Sequence, residues 1–508
     1  MSIDLAERLA LAARQHPDRA FLATPTAQAC RYGSLEERSG RLITVLAQRG
    51  VVAGDRVAVQ VEKSVEAVLL YVACLRMGAV FVPINVANTP SEVAYFLEDA
   101  QPRLAVVAPA QRPVLDAAAH RAGVGHLETL GLDGEGSLME FAVRAQPSTG
   151  PFEYGPNATA AIVYTSGTTG RSKGAMLTRA NLATNASALA AAWRFTGEDV
   201  LLHALPLFHI HGLFAAINTA IAAASTVLLL PRFDAAEVVS LLPRSTVFMG
   251  VPTHYTRLLQ HAALNRAAAA AMRLFVSGSA PLLVETHREF HERTGHAILE
   301  RYGMTETLIN TSNPYAGERV PGSVGPALPG VAIRVVTDGG AVASTPEAIG
   351  ALEVRGPNVF AGYWRDAEKT RAEFTADGWF KTGDDGRIDA GGYVHILGRA
   401  KDLVISGGYN VYPREVEAVL DELPGVLESA VFGVPHPDFG EGVTAAVVLK
   451  PSAAGSEEAL LRALQERLAR YKIPKRIVFL DDLPRNTMGK VQKNLLRVAH
   501  AALYIAAG

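Results

Sequence analysis

Ala160-Ala161-Ile162-Val163-Tyr164-Thr165-Ser166-Gly167-Thr168-Thr169-Gly170-Arg171-Ser172-Lys173-Gly174 runs from an apolar tetrad into a string of glycines, hydroxyls and a lysine. The tetrad reads as a buried strand. The three glycines let the backbone turn tightly and approach a ligand closely. The hydroxyls of Thr165, Ser166, Thr168 and Thr169, with free backbone N–H groups, can cradle phosphate oxygens, and Lys173 adds positive charge. The string is not the G-x-x-x-x-G-K-[ST] loop of kinases and GTPases, because Arg171 and Ser172 stand between Gly170 and Lys173.

Outward from this stretch, strand-like and helical patterns alternate over about the first 390 residues. Val57–Val61, Val80–Pro83, Ala105–Val107, Ala160–Tyr164, Thr226–Leu230, Val247–Gly250 and Leu274–Val276 read as short buried strands, with a helix over Ser64–Met77. Strands spaced by helices predict an α/β fold of parallel sheets with helices on both faces, whose ligands bind past the carboxyl ends of the strands. From Gly330 to Gly362 the pattern turns to β alternation over Ala332–Val336 and Gly350–Arg355, with turns of the Asp338-Gly339-Gly340 type. A second shift falls at Gly398-Arg399-Ala400-Lys401-Asp402. The division expected is a large N-terminal domain over 1–398, with a β subdomain at 330–397, and a smaller C-terminal α/β domain over 399–508. The Ala267–Ala271 run is expected to be helical.

The 508 residues suit three or four core-sized units. A net charge of −2 gives no drive toward nucleic acid or anionic membranes. Cys30 and Cys74 make neither a disulfide framework nor a metal site and read as small buried hydrophobes. The start, MSIDLAERLALAARQ, reads as an amphipathic helix rather than a signal peptide. Leu213–Leu230 is the most membrane-like stretch, but its polar residues and Pro231 favour a buried helix running into a buried strand. The expected location is the cytoplasm.

The eleven residues from Tyr164 to Gly174 closely resemble the signature of the adenylate-forming superfamily: acyl-CoA synthetases, peptide-synthetase adenylation domains and beetle luciferases. Further signatures follow in the family's order: Glu300-Arg301-Tyr302-Gly303-Met304-Thr305-Glu306-Thr307, Tyr363-Trp364, Trp379-Phe380-Lys381-Thr382-Gly383-Asp384, Gly398–Asp402 and Pro484-Arg485-Asn486-Thr487-Met488-Gly489-Lys490. The resemblance spans essentially the whole chain. It implies ATP, Mg²⁺ and CoA as reactants and a small C-terminal domain that is mobile.

The resemblance also implies roles. Tyr302-Gly303 and Ser279-Ala280-Pro281 flank adenine, within a nucleotide motif that includes Glu300, Arg301 and Thr305. Glu306 binds Mg²⁺ with Thr165 near it, as oxygen ligation of a hard cation requires. Asp384 accepts from both ribose hydroxyls, which an acceptor-only carboxylate can do, and Arg399 helps on the ribose and phosphate side. Lys490 touches the substrate carboxylate and the α-phosphate, offsetting the repulsion between two anions. Acetylation of Lys490 by a lysine acetyltransferase would erase that charge. Lys401 is the hinge between two poses, one presenting Lys490 and the other bringing Gly407-Gly408-Tyr409 to the acyl-adenylate.

Leu205–Phe214 and Gly250–Leu259 line the acyl pocket in relatives. An Arg in such a wall suits a second carboxylate, since an unpaired buried cation is costly. These stretches, with Phe275–Glu289 and Asn310–Tyr315, resemble malonyl-CoA synthetases. The resemblance implies that Arg257 holds the distal carboxylate of malonate, with His209, Ser277 and Met304 beside it. Thr307-Leu308-Ile309-Asn310 departs from that pattern, which leaves methylmalonate or another short acid open. A ligase for medium-chain or aryl acids is a second reading, and a peptide-synthetase adenylation module a third. The absence of a carrier domain before Gly508 favours free CoA. A non-catalytic nucleotide-binding protein is a further reading. It would be expected to lose Lys490 or Glu306, and both are present.

Overall fold

The computed structural model describes residues 4–26, 30–150, 152–165, 172–337, 339–407, 409–451, 453, 455–487 and 489–504. Among these residues the strands form four sheets. One has the order Leu308–Ser312, Leu299–Met304, Leu274–Ser277, Val247–Gly250, Val200–His203, Thr226–Leu229, Ala20–Ala23, Cys30–Arg31. A second runs His126–Thr129, Leu104–Val107, Arg56–Gln60, Val80–Pro83, Thr159–Thr165, Lys173–Thr178. The inner pairings of both are parallel, while Cys30–Arg31, Leu308–Ser312 and Lys173–Thr178 pair antiparallel at the edges.

The helix Val65–Met77 shows why these sheets share one core. Ser64 caps it by accepting from the Ala67 N–H (3.1 Å), and Gly78 ends it in the left-handed region. Its residues are apolar nearly all round, so the helix can only be stable buried on every side. It packs into a cluster that takes in Leu22 and Val227 from one sheet and Val57, Phe81 and Ala161 from the other.

Ala332–Val336, Gly350–Arg355, Phe380–Ile388 and Val394–Arg399 form an antiparallel sheet. The chain leaves it at Arg399 and enters the last sheet at Val404. That sheet has the order Tyr409–Val411, Val404–Ser406, Gly440–Leu449, Val426–His436, with Arg476–Phe479 added parallel to Gly440–Leu449. It encloses its own core around Val416, Val431 and Leu464.

Two expectations need correction. Ala267–Ala271 is a series of turns, not a helix. Asn265 draws the Ala268 N–H to its side chain (2.9 Å) and the chain must straighten at once into Leu274–Ser277, leaving too few residues for a helix to propagate. Leu213–Leu230 is buried as expected, but it begins inside a π-helix, His211–Ile217, that continues as the α-helix Asn218–Ala223 before the strand Thr226–Leu229. Among the described residues no helix is long and apolar enough to cross a membrane. Cys30 and Cys74 are buried free thiols.

Candidate active site

The strands Val200–His203, Val247–Gly250 and Leu274–Ser277 lie parallel and end side by side, so the segments that follow them meet at one edge. Those segments carry His209 and His211, then the helix Pro252–Leu259, then Ser279. The strand Leu299–Met304, parallel to Leu274–Ser277, and the strand Thr159–Thr165 of the second sheet carry the remaining groups.

Thr165 pairs with Lys173 across the hairpin that holds the glycine–hydroxyl string. Ser166, Gly167, Thr168, Thr169 and Gly170 lie outside the described residues. Lys173 Nζ stands 5.8 Å over the ring of Tyr363, whose hydroxyl donates to Glu306 Oε1 (3.0 Å). Burial raises the Glu306 carboxyl above its ordinary range. A buried carboxylate held by neutral donors, its own backbone N–H and the Tyr363 hydroxyl, is short of positive charge, and the Thr165 and Lys173 stem is linked to it through Tyr363. Among the described residues no cluster of three His, Cys, Asp or Glu could hold a metal alone. One carboxylate and one hydroxyl suit a hard cation that takes its other ligands from phosphates and water.

Tyr302 donates to Asp384 Oδ2 at 2.5 Å, and Arg399 Nε lies 3.6 Å from Asp384 Oδ1 across the sheet. Burial raises the Asp384 carboxyl, with Arg399 and the Tyr302 hydroxyl opposing. Gly303, next to Tyr302, sits at a bulge; a Cβ there would lie 1.9 Å from the Leu308 carbonyl oxygen, so the hairpin admits only glycine. Lys490 reaches the same group. Its ammonium is pushed down to about 8, chiefly by burial and then by Arg399, with Asp384 pulling the other way. It is carried on a hairpin turn closed by Asn486 N–H to Lys490 O (2.9 Å) and Lys490 N–H to Asn486 Oδ1 (3.0 Å). Gly489 in that turn has φ +72° and packs on Thr253. Thus Tyr302, Asp384, Arg399 and Lys490 come together. Lys401 is exposed just past Arg399, and Tyr409 faces solvent stacked on Tyr471 (4.8 Å). Gly407 is exposed, and Gly408 lies outside the described residues.

The third group holds charge without counter-charge. Arg301 is buried, with Nε and Nη2 unpartnered, and its guanidinium is pushed down to about 9 by desolvation. A Cβ on Gly278 would lie 2.5 Å from Arg301 Cζ, which fixes the guanidinium against the segment after Leu274–Ser277. Ser277 Oγ and His211 Nε2 are also buried and unpartnered. Ser279, at φ +72°, sits with its hydroxyl 3.2 Å from His211 Nδ1. A non-glycine residue in that region marks backbone held by its surroundings, a common feature of functional sites. His209 is pushed down to about 4 by burial, then by Arg301 and Lys490. His203 and His254 are each held down at about 3 by burial, and His211 is also held well below its ordinary value. These rings are therefore neutral, and His209 lies within electrostatic reach of both Arg301 and Lys490.

Arg301, one of the residues expected on the nucleotide side, lies against Gly278 with its charge acting on His209 and His211. Arg257 is exposed on the helix Pro252–Leu259 and lines a cleft of about 550 Å³ with Thr253, His254, Pro484, Asn486 and Gly489. Met304 is half-buried at the end of its strand, and Ala280 and Pro281 follow Ser279 outward. Glu300 is buried and pushed up to about 7 by desolvation, accepting from the Gly322 N–H. Thr305, beside Met304, is half-buried. His211 and His254 were not singled out by sequence; the signal was present in the densely placed histidines of 203–211 and in a histidine one helical turn before Arg257.

The AMP-binding enzyme family matches residues 9–364, and the AMP-binding enzyme C-terminal domain matches residues 415–490. The mitochondrial malonate–CoA ligase ACSF3 of Mus musculus is 35% identical, over 92% of this chain and 83% of its own. The indoleacetate–CoA ligase of Aromatoleum aromaticum is 36% identical, over 92% of both. The crystal structure of ATP-bound MatB from Rhodopseudomonas palustris superposes with a TM-score of 0.95 at 53% identity, covering 99% of this chain and 100% of that one.

Proposed function

The chain belongs to the AMP-binding enzyme family, and from that premise we propose that it is a malonate–CoA ligase, converting malonate, ATP and CoA to malonyl-CoA, AMP and diphosphate through malonyl-adenylate. The observation that carries the choice of acid is the buried, unpartnered Arg301 guanidinium, within reach of the same imidazole as Lys490. His209 feels both Arg301 and Lys490, and Arg301 has two unpartnered nitrogens in a pocket of neutral rings. A dicarboxylate supplies one anion for each. An acyl chain or aryl ring would leave the buried guanidinium unpaired, which is costly.

In the first half-reaction a malonate carboxylate oxygen attacks the α-phosphorus and diphosphate leaves. Lys490 holds the attacking carboxylate and the α-phosphate oxygens together, offsetting their repulsion as charge redistributes. Arg301, with Ser277 and His211 donating, holds the distal carboxylate, and Arg257 stands at the rim. Asp384 accepts from the ribose hydroxyls, with Arg399 beside it and the Tyr302 ring against adenine. Glu306 and Thr165 would hold Mg²⁺, which neutralises phosphate charge.

In the second half-reaction the CoA thiolate attacks the acyl carbonyl and AMP departs. The exposed position of Gly407 and Tyr409 fits a chain in its first pose. Rotation of 399–508 against 1–398 at Lys401 would exchange them for Lys490. Methylmalonate, one methyl larger, is the alternative acid. The test is CoA-dependent AMP release over acetate, malonate, methylmalonate, octanoate and benzoate. Malonate should give the highest kcat/KM, and a higher value for octanoate or benzoate would overturn the reading.

A further inference from the structure

The mechanism above needs Lys490 at a fixed distance from the phosphates, yet Lys490 and the glycine–hydroxyl loop sit on different parts of the chain. One segment touches both. It is the turn after the strand Val80–Pro83 together with the helix Pro90–Ala100.

At its start, Asn85 donates from Nδ2 to Thr487 Oγ1 (3.1 Å), three residues before Lys490. Asn85 is held there by its own turn: its Oδ1 accepts from the Ala87 N–H (2.9 Å) and its carbonyl from Gln60 Nε2 (3.2 Å) and the Asn88 N–H (3.0 Å). The helix then begins at a capping box between Thr89 and Glu92. Tyr95 and Asp99 follow at i and i+4, on one face of that helix. Tyr95 donates to the Ser172 carbonyl (2.7 Å), and Asp99 Oδ2 accepts from the Tyr164 hydroxyl (2.6 Å). Ser172 and Tyr164 are on the two stems of the glycine–hydroxyl loop. Between them Phe96 packs on the Tyr164 ring (4.6 Å).

We propose that Asn85 is a positioning residue for the first half-reaction: it receives the tip of the Lys490 hairpin, and the helix behind it ties that seat to both stems of the phosphate loop. The inference rests on the reading of two poses given above. Because Thr487 travels with Lys490, the contact exists only while Lys490 is presented. Losing it slows adenylate formation and leaves thioester formation untouched, whereas a residue needed only for folding would affect both.

The test measures malonate-dependent ATP–pyrophosphate exchange and, separately, malonyl-CoA formation from supplied malonyl-adenylate and CoA. Asn85→Ala should lower exchange roughly five- to tenfold, the worth of one hydrogen bond, and change the second reaction less than twofold. Thr487→Val, which leaves the Asn85 turn intact, should do the same, and the double variant should be no worse than either single. Tyr95→Phe should raise the KM for ATP without slowing the second reaction. Unchanged exchange in both single variants, equal loss in both half-reactions, or additive losses in the double variant would overturn the proposal. Wild type run alongside keeps the two ideas apart: if it exchanges with another acid and not malonate, the acid assigned above is wrong, and the same variants are compared with the acid it does use.

Discussion

Tyr302 donates its hydroxyl to Asp384 at 2.5 Å, fastening the hairpin Leu299–Ser312 to the antiparallel sheet that Arg399 ends. The aromatic face and the carboxylate proposed for the nucleoside are thereby held as one unit. Tyr302→Phe keeps the ring and removes the donor, so the buried carboxylate loses one of its few supports. The expected outcome is a higher KM for ATP. Asp384→Asn should cost more, roughly ten- to a hundredfold in kcat/KM for ATP, the range for hydrogen bonds to a charged group. Steady-state kinetics with ATP varied checks both.

Lys490 should confer an alkaline limit on the first step. Its folded-state value of about 8 lies below the ordinary 10.5, so it is charged below about pH 8 and neutral above. Only the charged form can bridge the two anions, and kcat/KM for ATP should therefore fall as pH rises through about 8. Bound phosphates favour the charged form and should move the limit upward in kcat. Lys490→Arg, slower overall, should be flat from about pH 7 to 9.5, because a guanidinium keeps its proton. The sign for stability is opposite to the usual lysine case: the depressed value costs stability below about pH 8, and the cost fades between there and 10.5. A pH–rate profile of both forms is the measurement.

Arg301 and Arg257 can be separated by size of effect. Arg301 is buried, so Arg301→Met should lower malonate kcat/KM roughly 30- to 1,000-fold, about 2–4 kcal/mol for losing one partner of a desolvated pair. Acetate, lacking the second carboxylate, should not suffer. The thermal midpoint of the unliganded protein should hold or rise, since a buried unpaired charge has been removed. Arg257 is exposed, and Arg257→Ala should cost no more than roughly fivefold. A larger effect from Arg257→Ala than from Arg301→Met would exchange their roles.

Gly303→Ala should destabilise the protein by roughly 1–3 kcal/mol, because the new methyl meets the Leu308 carbonyl and the hairpin must shift. The carrier of Tyr302 would shift with it. Denaturant melts with ATP binding in parallel would show both effects in one variant.

Particular elements show what sequence could and could not reveal. Val80–Pro83 and Val247–Gly250 were readable to the residue because a parallel strand buried on both faces leaves an unbroken apolar run. The strand Lys173–Thr178 was not identified, because the loop signal dominated the stretch that feeds it. Ala267–Ala271 misled because propensity is a weak prior beside the demands of the following strand. The π-helix His211–Ile217 has no periodicity of its own to detect. Motif order brought Tyr302, Asp384, Arg399 and Lys490 into one site. It could not place Arg301, because on a strand adjacent residues face opposite sides, and the side taken by each depends on the sheet's partners.

The neutral imidazoles around Arg301 bear on redesign. Burial holds the His209 and His211 rings neutral, so the charge beside them at the acyl end is carried by Arg301. Changing the acid tolerated is then a problem of one position: an aliphatic residue there would turn an anion receptor into an uncharged slot bordered by polar aromatic edges.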